Sequence, residues 1–108
     1  MRGPTRTKGL GMKLLHITFH FEYSEDIESI LDKHRVSDFV RVSMVEGKDR
    51  DGKHYGNQVY PGNSCMVQAQ LPEEKLEDIL SDLEEFKEAK DSHRHLQALV
   101  LPVERYLE

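Results

Sequence analysis

Apolar and polar residues alternate through the first patterned stretch of the chain. Over residues 13–23, Leu15, Ile17, Phe19, Phe21 and Tyr23 fall on one face and His16, Thr18, His20 and Glu22 on the other. This is the period of a half-buried strand. The spacing then becomes helical at Ile27, Ile30 and Leu31. Ser24 is placed to cap this helix, Glu25 and Asp26 put negative charge at its start, and Lys33, His34 and Arg35 suit the negative end of its dipole. A second strand is predicted over residues 38–45, where Val40, Val42 and Met44 alternate with Phe39, Arg41, Ser43 and Val45.

The alternation stops at Glu46. Residues 46–63 are polar and contain Gly47, Gly52, Gly56 and Gly62. The segment is longer than an ordinary hairpin connection, and long loops are where binding functions concentrate. Asp49-Arg50-Asp51-Gly52 has the look of a calcium loop, but the remaining acidic ligands and the closing Glu are missing, so the tetrapeptide reads as a turn. Strand character returns over residues 64–71, with Cys65, Val67, Ala69 and Leu71 on one side and Met66, Gln68 and Gln70 on the other. Pro72 suits a first helical position, and Leu76, Ile79, Leu80, Leu83 and Phe86 trace one apolar stripe behind it. Residues 95–103 are apolar on both alternating faces, which predicts a last strand covered on both sides.

The order strand, helix, strand, strand, helix, strand predicts an α+β, ferredoxin-like βαββαβ sandwich: a four-stranded antiparallel sheet with two helices on one face. The opposite face carries Leu14, Met66, Leu99, Leu101 and Val103, too apolar for water unless other subunits cover it. At 108 residues the chain has room for one domain. So small a domain gains much from association. Residues 1–11 are basic, Gly-rich and without periodicity, and are expected to be a leader or tag-like arm before a domain over 12–108.

Charge narrows the partners. The net charge is -5 and no run of clustered Lys and Arg occurs, which argues against a nucleic-acid or anionic-membrane surface. No apolar stretch is long enough to span a membrane and the first residues lack a secretory hydrophobic segment, so a cytoplasmic protein without membrane insertion is expected. The lone Cys65 has no internal disulfide partner and is expected as a reduced thiol. No nucleophile has a base beside it in sequence, and the acidic positions of the second helix, Glu73 to Glu85, read as a solvated face. A non-enzymatic role is expected.

The six histidines raise metal binding as an alternative. His16 and His20 share a strand face but lie about 13 Å apart in an extended chain, too far for one ion within a subunit. Copies of one His converging across a symmetry axis, or His93 and His95 on one side of a strand, are the remaining routes.

Val45-Glu46-Gly47, Arg50 and Tyr60-Pro61-Gly62 resemble the start and the tyrosine-containing return of the T-loop in the PII signalling family. The likeness covers residue 12 onward in architecture. It implies a homotrimer with effector clefts between subunits and a mobile T-loop over residues 46–63 that docks on a target protein, such as a membrane transporter or metabolic enzyme. It also implies an adenine nucleotide as effector, with Gly47, Lys48, Arg50, Arg94 and Arg105 as ligand-binding candidates and Tyr55, Tyr60 and Gly62 on the partner-binding loop. The sequence departs from the family at Asp49-Arg50-Asp51 and at His93-Arg94-His95, where the Gly/Lys-rich B-loop is missing. The similar CutA fold family motivates the alternative, a metal-binding or metal-responsive trimer that holds a divalent transition metal through His16, His20, His93 or His95.

Overall fold

The computed structural model describes residues 11–36, 38–45, 47–49, 52–54 and 64–107. Four strands form one antiparallel sheet: β1 (Met12–His20), β2 (Phe39–Val45), β5 (Ser64–Pro72) and β6 (Gln97–Pro102), in the order β2-β5-β1-β6. Helices α1 (Ser24–Lys33) and α2 (Glu73–Ala89) connect them. This is the predicted ferredoxin-like arrangement, with β1 and β5 at the centre. Two further strands, β3 (Gly47–Asp49) and β4 (Gly52–His54), pair with each other as a separate ribbon.

The core fills the space between helices and sheet. Leu15, Ile17 and Phe19 of β1 and Cys65, Val67, Ala69 and Leu71 of β5 are buried against Ile27 and Leu31 of α1 and Leu76, Ile79 and Leu83 of α2. Each set is the apolar half of its element's own period, two along the strands and 3.6 along the helices. β1 pairs with β5 from Met12 opposite Pro72 to His20 opposite Ser64, so both strands present the same alternation to the core.

Several boundaries differ from the sequence expectation. β1 stops at His20, because the imidazole Nδ1 accepts a hydrogen bond from the Glu22 backbone N–H at 3.2 Å and a 3-10 turn follows over Phe21–Tyr23. Tyr23 thereby swings onto the core, whereas Phe21 is left 49% exposed. Ser24 is the first residue of α1, after Tyr23 at the cap position, and its hydroxyl points to the Cys65 Sγ at 3.8 Å. Pro72 closes β5 one position before α2, and the Glu73 N–H at the helix start is satisfied by the Gly11 carbonyl at 2.7 Å. β6 begins at Gln97, not at residue 95, and lies at a sheet edge.

α1 ends in a reversal that places Arg35 at φ 61, a left-handed conformation more often given to glycine. The Val36 N–H reaches back to the Leu31 carbonyl and the Arg35 N–H to the Asp32 carbonyl, both at 2.9 Å. These bonds satisfy carbonyls that the helix end would leave open, and Val36 is buried beyond them.

Asp82 of α2 ties the helices together by receiving His34 Nε2 at 2.7 Å and Lys33 Nζ at 3.1 Å. The His34 hydrogen bond, then that of Lys33, holds its carboxyl below the ordinary value of 3.8. A lowered carboxyl stabilises the fold above its unfolded pKa, and this contribution is lost as pH falls through the folded value. Asp82→Asn is therefore expected to melt below the wild type at pH 7 and to match it once the medium is acidic enough to protonate Asp82. Thermal melts across that pH range check this, and a gap that persists or widens in acid contradicts it.

Candidate functional site

The strand registers place three junctions at one end of the sheet. His20 lies opposite Ser64, Val45 also pairs with Ser64, and Gln97 pairs with Thr18. The chain leaves β1 for α1, enters and leaves the 46–63 segment, and passes from α2 to β6 all at this end. The opposite end holds Met12, Pro72 and Pro102.

The entry to the loop is shaped by a bulge in β2. Val42 lies opposite Met66 and Val45 opposite Ser64, so three steps along β2 match two along β5. The extra residue breaks the alternation and turns the edge strand as it leaves the sheet. Beyond it, β3 and β4 pair antiparallel, Gly47 with His54, Lys48 with Lys53 and Asp49 with Gly52. The expected turn falls on Arg50 and Asp51, outside the described residues, and part of the segment read as unbroken loop is an antiparallel ribbon.

The α2–β6 junction is built around His93. A 3-10 turn over Asp91–His93 leaves this imidazole only 6% exposed. It stacks on Phe86 with ring centres 3.9 Å apart and meets the edge of Tyr23 at 4.6 Å. His93 Nδ1 lies 2.6 Å from the Phe86 carbonyl oxygen, which only accepts, so Nδ1 carries the hydrogen. The Tyr23 hydroxyl donates to Ser92 Oγ at 3.0 Å, and Lys87 Nζ donates to the Leu96 carbonyl at 2.6 Å.

This junction does not have the form of a phosphate cradle. The N–H groups of His93, Arg94 and Leu96 are bonded to the carbonyls of Lys90, Asp91 and His93. An anion cradle needs such groups directed outward together. Any anion held here would rely on side-chain cations. Arg94 is half-exposed and pairs with Asp91 at 3.2 Å.

The candidate residues separate accordingly. Gly47, Lys48 and Arg94 belong to segments at the loop end, whereas Arg105 follows β6 past the opposite end, where Pro102 pairs with Lys13. One chain therefore does not gather all of them. Arg50, Tyr55, Tyr60 and Gly62 lie outside the described residues.

His93 and His95 occupy a 3-10 turn and the turn after it, so they are not neighbours on one strand face as expected. His16 lies in mid-strand and His20 at the end of β1 beside Glu22, with Nδ1 to Oε1 at 3.2 Å. Among the described residues no group of three or more His, Cys, Asp or Glu is placed to hold a metal ion.

The sequence reading missed Tyr23, Phe86, Lys87 and Ser92 as parts of this end. Their signal is weak because the Tyr23–Ser92 bond joins residues 69 positions apart. No helix among the described residues is long and apolar enough to cross a membrane.

No protein-family model matches the sequence, and no curated protein matches it. Solved structures do match in fold. CPII from Thiomonas intermedia K12, a nitrogen regulatory PII-like protein bound to ADP, AMP and bicarbonate, is 24% identical and superposes over 82% of both chains with a TM-score of 0.69. A DUF3240 family protein from Shewanella baltica OS155 is 16% identical over 86% of this chain and 90% of its own, with a TM-score of 0.65. PII from Arabidopsis thaliana, bound to citrate, is 13% identical over 87% of this chain and 78% of its own, with a TM-score of 0.63.

Proposed function

Starting from a chain that is PII-like in fold, we propose that it is a regulatory protein, not an enzyme, which assembles as a homotrimer, binds an adenine nucleotide in clefts between subunits and signals to a target protein through residues 46–63. The observation that carries this reading is the fold shared with CPII, a protein that holds ADP, AMP and bicarbonate. The loop stem and the α2–β6 junction lie at the same end of the sheet, so a ligand between them has direct access to the loop. A segment ordered by a ligand has less entropy left to lose when its target arrives, and its affinity rises accordingly.

The open sheet face supports assembly. Its described positions are Met12, Leu14, His16, Thr18 and His20 on β1, Ser64, Met66, Gln68 and Gln70 on β5, Val40 and Val42 on β2, and Gln97, Leu99 and Leu101 on β6. None is Asp, Glu, Lys or Arg, although such residues make up 32% of the chain. A water-facing surface of this protein would carry its share of them. Val40 is 61% exposed, Val42 41%, Leu99 60% and Leu101 49% in the single chain. The predicted two-sided cover of the last strand is thus absent within one subunit and falls to neighbouring copies.

Calorimetric titration with ADP, AMP, bicarbonate and Zn²⁺ tests the ligand. Saturable binding of ADP or AMP is expected. Arg94→Ala is expected to weaken it about tenfold or more, the usual scale of one charge-assisted hydrogen bond. Tight Zn²⁺ binding without a nucleotide signal would replace this reading with the metal-responsive one.

A further inference from the structure

The uncharged face has a polar centre. His16 and Gln68 lie directly opposite each other on the two central strands, and the Gln68 amide nitrogen is 3.3 Å from His16 Nδ1. Across the same row, Gln68 is flanked by Val40 and His16 by Leu99. Gln70, Leu14 and Leu101 make the row on one side, and Val42, Met66, Thr18 and Gln97 the row on the other. The hydrogen-bonded pair therefore sits between aliphatic neighbours on its own row and uncharged rows on either side, where neighbouring subunits would remove water from it.

An amide nitrogen donates, so Nδ1 accepts and the neutral imidazole carries its hydrogen on Nε2. Each subunit then offers two donors, His16 Nε2–H and the second Gln68 amide N–H, and one acceptor, Gln68 Oε1, at the middle of the face. Leaving any of these without a partner on burial is costly. Donors and an acceptor on every copy can be matched between copies in any closed arrangement, two-fold or higher.

We propose that His16 of each subunit donates to Gln68 of a neighbouring copy, in a closed set of hydrogen bonds that fixes the register of the contact. The occupant of the face is a second copy of this chain, and the inference rests on the assembly proposed above. A buried polar group that needs a partner across an interface is a known means of selecting register at some expense of affinity.

The test is a double-mutant cycle read as the dissociation constant of the assembly by sedimentation equilibrium, with circular dichroism confirming that each variant is folded. His16→Leu and Gln68→Met are each expected to weaken assembly about tenfold or more, because each leaves the other's group buried and unbonded. The double variant is expected to associate at least as tightly as either single variant. His16→Gln keeps an amide donor and acceptor at that position and should retain most of the affinity. A loss as large as that of His16→Leu counts against hydrogen bonding as the cause.

A wild type that runs at the mass of one chain removes this inference and the assembly beneath it. An assembled wild type whose single variants associate as tightly as it does removes this inference alone. So does a double variant weakened by the product of the two single effects.

Discussion

Leu101→Glu is expected to convert an assembled wild type, near three times the 12.6 kDa of one chain, into a folded species of 12.6 kDa. Leu101 lies on edge strand β6 opposite Leu14, with Gln70 as the next neighbour across the row and no cation among the described positions of the face. A carboxylate there has no compensating charge once a neighbour covers it. The effective penalty for burying an unpaired ion is several kcal/mol. About 4 kcal/mol at each subunit contact raises a dissociation constant roughly a thousandfold.

The substitution leaves the single chain nearly unaffected, because Leu101 is already half-exposed there and belongs to no buried cluster. Light scattering over a dilution series measures the outcome. A variant that keeps the wild-type mass places the interface elsewhere, and a wild type that already runs as one chain ends the trimer proposal.

Ile17→Ala is expected to cost about 2–5 kcal/mol of folding stability, the range found for removing a large aliphatic side chain from a packed core. Ile17 is fully buried on β1, between Val67 of β5 and Ala98 of β6, and belongs to the same cluster as Ile27 and Ile79 of the two helices. The cavity would therefore sit where strands and helices meet, with little freedom to collapse. Against a total of roughly 5–15 kcal/mol, such a loss is a large fraction of the stability.

Urea unfolding at fixed protein concentration is expected to show a lower midpoint with an unchanged slope, since the surface exposed on unfolding is the same. Leu107→Ala, at a position 90% exposed, is the matched control and should move stability by no more than about 0.5 kcal/mol. Equal midpoints for the two variants would mean that the core is not centred on Ile17.

Both effects trace to features legible in the chain. Leu15, Ile17 and Phe19 announce a strand by their period of two, and Leu76, Ile79 and Leu83 announce a helix by theirs. Each pattern is local, so a few consecutive residues suffice to read it. The apolar reverse face was readable as well, through Leu14, Met66, Leu99 and Leu101. Val40 and Val42 join it only because β2 pairs with Phe39 opposite Ala69, which turns Phe39 toward the core and the two valines away.

The candidate site was less legible. Six histidines invited a metal reading, yet His93 is occupied by a backbone carbonyl and two aromatic rings. Nothing in His93-Arg94-His95 shows that Tyr23 and Phe86 will close around its first member. Arg94 and Arg105 look like equivalent candidates in sequence, and the strand registers send them to opposite ends of the sheet.

The sequence by itself determined the kinds of elements, their order and which half of each is apolar, because these depend on spacings of two to four residues. Tertiary structure decided where β1 stops, how the bulge turns β2 toward the loop, which side β6 leaves open and what surrounds His93. Those outcomes depend on hydrogen bonds and packing between residues far apart in the chain, whose partners exist only once the sheet has set its register.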